Sequence, residues 1–430
     1  MHRIVIVGGG AGGLELATRL GDSLGKRGQA EITMVDRGRT HLWKPLLHEV
    51  AAGSMDIHAH QLDYLAQARW HHFTFSLGAL KSLDRGAKTI TVDAVVDDMG
   101  EQILPARTIA YDTLVIAIGS QSNDFGTPGV KEHAFTLDNA WDANLFHRKL
   151  VNACFKANFA NDGRVLRVVI VGAGATGVEL SAELHNTVRV LAAYGLDHFD
   201  PERQIHLTIV EAGPRILAGL PDYLAESTLD ILMNLNVDVL CDQKVISVQG
   251  DGLNTASGKF LPAEFVVWAA GVRAPEVLAN LDGLEAARIN RLVVLPTLQT
   301  TQDENVFALG DCAACPWENG RNVPPRAQSA HQQASHLFGT IKRRLRGEAP
   351  TPFRYRDFGS LVSLGAYESV GTLMGFVSRG SLRVEGLVAK LFYISLYKLH
   401  LWALHGFWRM ALDTLARMIR RQSEPRVKLH

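Results

Sequence analysis

The chain has 430 residues, 47% of them hydrophobic and 20% charged, and its 44 basic residues balance 44 acidic ones. This composition excludes an intrinsically disordered chain. The zero formal charge removes the overall positive field with which a nucleic-acid-binding protein attracts phosphates. Four cysteines, Cys154, Cys241, Cys312 and Cys315, are too few for a disulfide framework and point to a reducing compartment. At roughly 100–200 residues per domain, the length accommodates two or three domains. Before the first glycines only residues 4–7 are apolar, which is too short for the core of a signal peptide.

Residues 4–7 (IVIV) read as a buried parallel strand. Gly8-x-Gly10-x-x-Gly13 follows at once, with Gly12 inside the turn, and Leu14, Leu16, Ala17 and Leu20 begin a helical pattern. A second strand, 31–35, ends at Asp36. Each piece has a physical task. Gly8 permits the tight turn, Gly10 lets the backbone approach a pyrophosphate, and Gly13 lets the helix lie close to the strand. The helix N-terminus offers free N–H groups to phosphates, and Asp36 accepts hydrogen bonds from a ribose. A glycine triplet alone is weak evidence. With strand, helix and acid in place, it predicts dinucleotide binding.

The pattern recurs at 168–171, followed by Gly172-x-Gly174-x-x-Gly177 and a helix from Val178. The next strand, 205–210, ends in Glu211. This acid lies farther from its glycines than Asp36 does from its own, which predicts an insertion around 194–203. A carboxylate here repels a 2′-phosphate, so NADH is favoured over NADPH. Arg215 either weakens that preference or is an ordinary surface arginine.

Two such units suggest one retained flavin and one exchanging nicotinamide. Residues 111–119 (YDTLVIAIG), ending in Gly119, resemble the returning strand of two-dinucleotide flavoproteins, and 266–271 (VVWAAG), ending in Gly271, are the counterpart in the second unit. Residues 305–311 (NVFALGD) resemble the flavin motif whose aspartate, here Asp311, bonds the ribityl chain. Their place after the second unit predicts a discontinuous flavin domain with the nicotinamide domain inserted. Disulfide reductases carry a redox cysteine pair soon after the first acid, whereas this stretch reads HLWKPLLHEV, with none. Cys312-x-x-Cys315 is readable as a redox pair or a soft metal site. However, it follows Asp311 directly, where a helix is expected to begin, and the reading as small buried residues is preferred.

With these motifs together, the chain resembles the bacterial type II NADH dehydrogenases, the non-proton-pumping NADH:quinone oxidoreductases. The resemblance rests on HLWKPLLHEVAAG at 41–53, on GDCA at 310–313, on Ala327-Gln328-x-x-x-Gln332 and on YRDFGSLVSLG at 355–365. It implies that Gly8, Gly10, Gly12, Gly13, Asp36, Gly119 and Asp311 hold FAD, with Pro45 near the isoalloxazine. It implies that Gly172, Gly174, Gly177, Glu211 and Gly271 hold NADH. Gln328 and Gln332 would form the quinone-side wall. Their i,i+4 spacing puts both amides on one helix face, and the alternative is helix surface or capping. Glu179 resembles the family's glutamate at the nicotinamide–flavin junction, or it is an acid favoured by a helix N-terminus. His331 adjoins Gln332 and is either a proton relay or one histidine among 17.

From residue 387 onward the character changes. Val388, Phe392, Leu396, Leu399 and Ala403 form an apolar helical stripe, with Lys390, Lys398 and His405 on or near another face. Tyr393, Tyr397, Trp402 and Trp408 are rings of the kind that settle at lipid headgroups. Arg417, Arg420, Arg421, Arg426 and Lys428 follow, offset by Glu424. The longest uncharged run here, 399–408, is well below the ~18 residues of a spanning helix. The pattern predicts a monotopic anchor on the cytoplasmic side of the inner membrane. The other reading, a helical pair between two protomers, is compatible with it.

The expected fold class is therefore α/β, with two Rossmann-like dinucleotide-binding domains and C-terminal amphipathic anchoring helices. The expected division is an FAD domain at 1–120 and 290–345, an NADH domain at 121–289, and an anchoring or dimerisation region at 346–430. The expected activity passes a hydride from NADH to FAD, then two electrons and two protons to a membrane quinone, with no metal and no pumping. The rival readings are a soluble NADH-dependent flavin reductase for an iron–sulfur protein and a nucleotide-sensing flavoprotein.

Overall fold

A computed structural model of the chain describes residues 1–364, 369–374, 381–420 and 427–428. The β-branched runs become the centres of two parallel sheets. The first contains β1 (His2–Val7), β2 (Ala30–Asp36), β3 (Thr74–Leu77) and β4 (Thr113–Ile116). The second contains β5 (Ala134–Thr136), β6 (Leu166–Val171), β7 (Ile205–Val210), β8 (Val237–Leu240) and β9 (Phe265–Trp268). The chain then returns to the first sheet with β10 (Val306–Ala308), which pairs with β4. The strand orders are β10-β4-β1-β2-β3 and β5-β9-β6-β7-β8, parallel throughout. Both faces of β1 and β6 are covered, so their sequences are continuously apolar instead of alternating.

Four helices build the nucleotide turns and their surroundings: α1 (Ala11–Leu20), α2 (Leu47–Ala52), α3 (Ala140–Ala160) and α4 (Ala175–Ala193). At the start of α1 the third glycine faces the carbonyl of the first. A Cβ on Gly13 would lie 1.8 Å from the Gly8 oxygen, and one on Gly177 would lie 2.1 Å from that of Gly172. Only hydrogen fits, and this lets each helix begin against the end of its strand. The greater distance to Glu211 is taken up by the longer α4 and a short helix at Pro201–Gln204.

Helix α2 lies in sequence within the first unit but packs into the second. Trp43, Leu46, Leu47, Val50, Ala51 and Ala52 share a core with Val168, Ile170, Leu180 and Ile209. Each large side chain buried there contributes about 1.5–3 kcal/mol, so the stretch between the two units is fixed to both.

The helix expected directly after Asp311 does not begin there. Gly310–Cys312 is a single 3-10 turn, Ala313–Ala314 a short strand, and the helix is α5 (Ala327–Arg344). Pro316, Pro324 and Pro325 lie between and oppose helical continuation. Cys312 and Cys315 are buried, and burial pushes both thiols up to about 11. They are protonated at neutral pH, and among the described residues no group of three or more His, Cys, Asp or Glu could hold a metal.

The C-terminal region opens with an antiparallel sheet of β11 (Gly359–Ser363), β12 (Ser369–Met374) and β13 (Ser381–Glu385). Helix α6 (Gly386–His405) packs on this sheet and on α1, and α7 (Phe407–Arg420) follows. Among the described residues no helix is long and apolar enough to cross a membrane. On α7, Trp408 is 78% exposed, and Leu412, Leu415 and Ile419 are exposed with it. The polar side turns inward: Arg417 Nε donates to Asp413 at 2.7 Å and its Nη2 to the Ala59 carbonyl at 2.9 Å.

Two residues of the expected basic end are thus directed at the body. Besides Arg417, Lys428 donates its backbone N–H to Gly53 O at 2.9 Å, and its ammonium faces Asp56 at 3.6 Å. Of the apolar stripe, Leu399 is exposed, as is the neighbouring Trp402. The side chains of Val388, Lys390, Phe392, Tyr393, Leu396, Arg420, Arg421, Glu424 and Arg426 lie outside the described residues.

Gly13→Ala should destabilise the protein by about 1–3 kcal/mol, the usual cost of overpacking. Gly10→Ala, whose added carbon meets nothing within 4 Å, should cost distinctly less. Thermal unfolding of the two variants decides, and equal melting temperatures would remove the packing argument.

Candidate active site

Each glycine turn is closed by the acid at the end of its neighbouring strand. Asp36 Oδ2 accepts the Gly9 N–H at 2.6 Å and Oδ1 the Gly38 N–H at 2.7 Å. In the second unit Glu211 Oε2 accepts the Ala173 N–H and Oε1 the Gly213 N–H, both at 2.8 Å. A carboxylate oxygen can accept more than one bond, so both acids retain capacity for a ribose hydroxyl. Neither α1 nor α4 has a side-chain cap on its first turn. A Cβ on Gly10 or on Gly174 would meet nothing within 4 Å. Uncapped N–H groups beside open space fit a pyrophosphate at both turns.

A cavity of about 2470 Å³ joins the parts. It is lined by Gly8, Gly10, Gly12, Asp36, Pro45, Gly119 and Asp311 from the first unit, by Glu179 and Gly271 from the second, and by Gln328, His331 and Gln332 from α5. Gly13, Gly172, Gly174, Gly177 and Glu211 are not among the lining residues. The second turn reaches the cavity through Ala175 and Thr176 at the start of α4. The volume exceeds that of an ordinary small-ligand pocket, about 300–1,000 Å³.

Sequence patterns did not single out several groups that hold this lining. Ser120 Oγ donates to Asp311 Oδ2 at 2.7 Å, and Lys44 Nζ donates to the Ser120 carbonyl at 2.7 Å. Burial lowers the Lys44 ammonium from its ordinary value, against the pull of Asp138 and Asp311. Gln333, next to the expected Gln332, accepts the Gly310 N–H at 2.7 Å and so fixes the turn that carries Asp311. His41 Nδ1 and the Tyr64 hydroxyl both donate to the Gly9 carbonyl, at 2.9 and 2.7 Å. His41 Nε2 lies 2.9 Å from His400 Nε2 on α6. With His41 Nδ1 donating to Gly9, its Nε2 accepts and His400 donates. Burial pushes His41 down to about 4, so it is neutral. No local spacing could reveal these groups, because each acts on a partner distant in sequence.

Glu179 is 6% exposed. Its Oε1 accepts the Ser363 N–H at 3.1 Å, and Oε2 lies 3.6 Å from His48 Nδ1. Burial, with Glu49 and Glu183 nearby, pushes its carboxyl up to about 8, while burial pushes His48 down to about 4. At neutral pH both are uncharged. Gln328 and Gln332 line the cavity together, but their amides hold backbone. Gln328 Nε2 donates to Gly359 O at 3.1 Å. Gln332 donates to Arg356 O at 2.8 Å and accepts the Arg356 N–H at 3.0 Å. Arg215 donates to the Ala218 and Leu220 carbonyls and pairs with Asp222, which favours the surface-arginine reading.

The pyridine nucleotide-disulphide oxidoreductase family matches residues 2–334. The chain is 42% identical to the type II NADH:quinone oxidoreductase of Haemophilus influenzae, with both chains covered in full. It is 30% identical to the Staphylococcus epidermidis protein of the same name, over 87% of this chain and 90% of that one. The chain belongs to the type II NADH:quinone oxidoreductase family. In fold it is similar to Plasmodium falciparum NDH2 solved in complex with NADH (TM-score 0.81, 19% identity, 99% of this chain and all of that one). The sulfide:quinone oxidoreductase of Aquifex aeolicus has a similar fold (TM-score 0.72, 20% identity, 94% and 91% covered). Family membership and the two parallel sheets agree with the expected fold class.

Two measurements test the site. Glu211→Ala should shift the NADPH-to-NADH preference about tenfold toward NADPH, the equivalent of ~1.4 kcal/mol; an unmoved ratio would exclude Glu211 as the discriminator. The native state holds a proton on Glu179 between its ordinary pKa of 4.5 and about 8, where the unfolded chain has released it. Glu179 therefore favours the native state most at low pH, and that contribution is lost as pH rises through this window. Glu179→Gln should be more stable than the parent at pH 8–9 and gain nothing below pH 4.5, as read by denaturant unfolding.

Proposed function

We propose that the chain oxidises NADH at its second glycine turn and reduces a membrane quinone through an FAD held at its first. The observation that carries this reading is the single cavity in which Asp36 and Asp311 meet Glu179 and the Gln328–Gln332 wall. The flavin, when bound, supplies the two-electron relay between nicotinamide and quinone. Asp36 and Asp311 would hold its ribose and ribityl hydroxyls, with Gly10 and the start of α1 at the pyrophosphate. Pro45, in the turn Lys44–Leu46, would lie against the ring. Gly174, Glu211 and Gly271 would hold NADH, and Glu179 would stand where the two cofactors meet. The protein contributes alignment, a water-poor site and fixed hydrogen bonds. The same reading divides the chain into a discontinuous FAD domain, an inserted NADH domain and a C-terminal region.

Lipid is the third component. Helix α7 turns Trp408, Leu412, Leu415 and Ile419 outward and Asp413 and Arg417 inward. A helix of a soluble body normally buries the apolar side. The reversed arrangement suits a helix lying in the headgroup layer of the cytoplasmic face. A soluble flavin reductase would leave this surface without a partner.

The test is anaerobic. NADH should bleach the flavin of the purified protein, and decylubiquinone should restore its colour rapidly. Persistence of the bleached flavin would overturn the quinone reading. Replacing Trp408, Leu412 and Leu415 together by Glu should abolish sedimentation with anionic vesicles and leave bleaching by NADH intact. Undiminished sedimentation would refute the role of α7.

A further inference from the structure

A fully buried acid lies outside the nucleotide machinery. Glu15 lies on α1, two residues past Gly13, and is fully buried. Its Oε2 accepts from His331 Nδ1 at 2.6 Å, and its Oε1 from Arg19 Nη1 at 3.1 Å and from Ser335 Oγ at 3.3 Å. The Arg19 guanidinium lies over the Phe338 ring at 4.7 Å. Arg19 compensates the carboxylate, and the carboxylate has no opening to the cavity of its own. His331 does have one. It stands on α5 between Gln328 and Gln332, is partly exposed, and lines the cavity with them.

We infer that His331, oriented by the buried carboxylate of Glu15, gives the quinone its proton. The inference rests on the quinone reading above. Its stoichiometry is fixed by the reaction: NADH, one proton and quinone give NAD⁺ and quinol. The hydride equivalent leaving NADH carries two electrons and one proton, so one further proton must be supplied. The imidazolium of His331 gives it from Nε2 to the reduced quinone oxygen and becomes neutral, and cavity water returns it. Nδ1 is committed to Glu15, so Nε2 is the ring atom left to face a ligand. Glu15 is the positioning residue: its hydrogen bond to Nδ1 fixes the ring.

The neighbouring groups are poorer donors. Amides such as Gln328 and Gln332 do not act as acids, and both hold backbone. Lys44 is bonded to the Ser120 carbonyl. Glu179 lines the cavity from α4, on the nicotinamide side, and its Oε1 is engaged by the Ser363 N–H. Among the described residues, the titratable groups against His331 are Glu15 from α1, itself bonded by Arg19, and His400 from α6, which is tied to His41.

The test separates the proton from the electrons. FAD-loaded full-length protein is reduced anaerobically with NADH, then mixed with decylubiquinone or with ferricyanide, which takes electrons and no proton. His331→Gln should slow reoxidation by decylubiquinone about 100-fold, the lower end of general-acid effects. Ferricyanide should reoxidise it at the parent rate, and added imidazole should restore part of the quinone rate. Glu15→Gln, which loosens the ring without removing it, should show a smaller loss of the quinone rate, with ferricyanide reoxidation at the parent rate. The inference is overturned if His331→Gln is reoxidised by decylubiquinone at the parent rate. It is also overturned if ferricyanide reoxidation slows equally, because the ring would then only support the flavin. If the parent itself fails to reduce decylubiquinone while reducing ferricyanide, the functional reading falls first.

Discussion

The structure depends on a short contact made twice: a strand-end carboxylate accepting an N–H from inside the adjacent glycine turn. Asp36 does this to Gly9 and Glu211 to Ala173. A glycine-rich turn has high conformational entropy, and an unbraced one would sample many shapes. The carboxylate selects one, and the same atoms retain capacity for the ribose. Strand order, helix placement and phosphate room follow from it in both units. The repeat is therefore a repeated mechanical solution, serving two ligands that the surroundings distinguish.

Those surroundings are joined by packing across the two units. Helix α2 comes from the first unit and completes the core of the second. The end of the chain returns to the same place: His147 Nε2 on α3 bonds the Lys428 carbonyl at 2.7 Å, while the Lys428 N–H bonds Gly53 at the end of α2. His400 on α6 reaches the Gly9 carbonyl through His41. The C-terminal helices are thus continuous with the first glycine turn through buried hydrogen bonds, and that turn and the tail form one structural system.

Within the cavity, burial sets the electrostatics. His41, His48 and Glu179 are all held neutral near pH 7 by removal from water. These three add no fixed charge to a lining that also carries Asp36, Lys44 and Asp311. Asp311 is hydrogen-bonded by Ser120, and Glu15 is balanced by Arg19. A charge left unpaired in such a site would cost several kcal/mol.

The local sequence determined whatever depends on neighbouring residues. The two glycine turns, their strands and acids, and the absence of a redox cysteine pair after Asp36 were legible because turn geometry and helix starts are properties of short segments. The prolines at 316, 324 and 325 also carried the information that no helix could follow Asp311 at once, although the motif suggested one. Tertiary structure decided the rest. It brought Glu179 and Gln328 to the cavity that Asp36 lines, placed Gln333 under Gly310, joined His41 to His400, and turned Lys428 and Arg417 away from the surface. It also set His331 on Glu15 across 316 residues of chain. Residue type and spacing specify what a side chain can do. Which partner it meets, and how much water remains around it, is fixed only when distant segments pack.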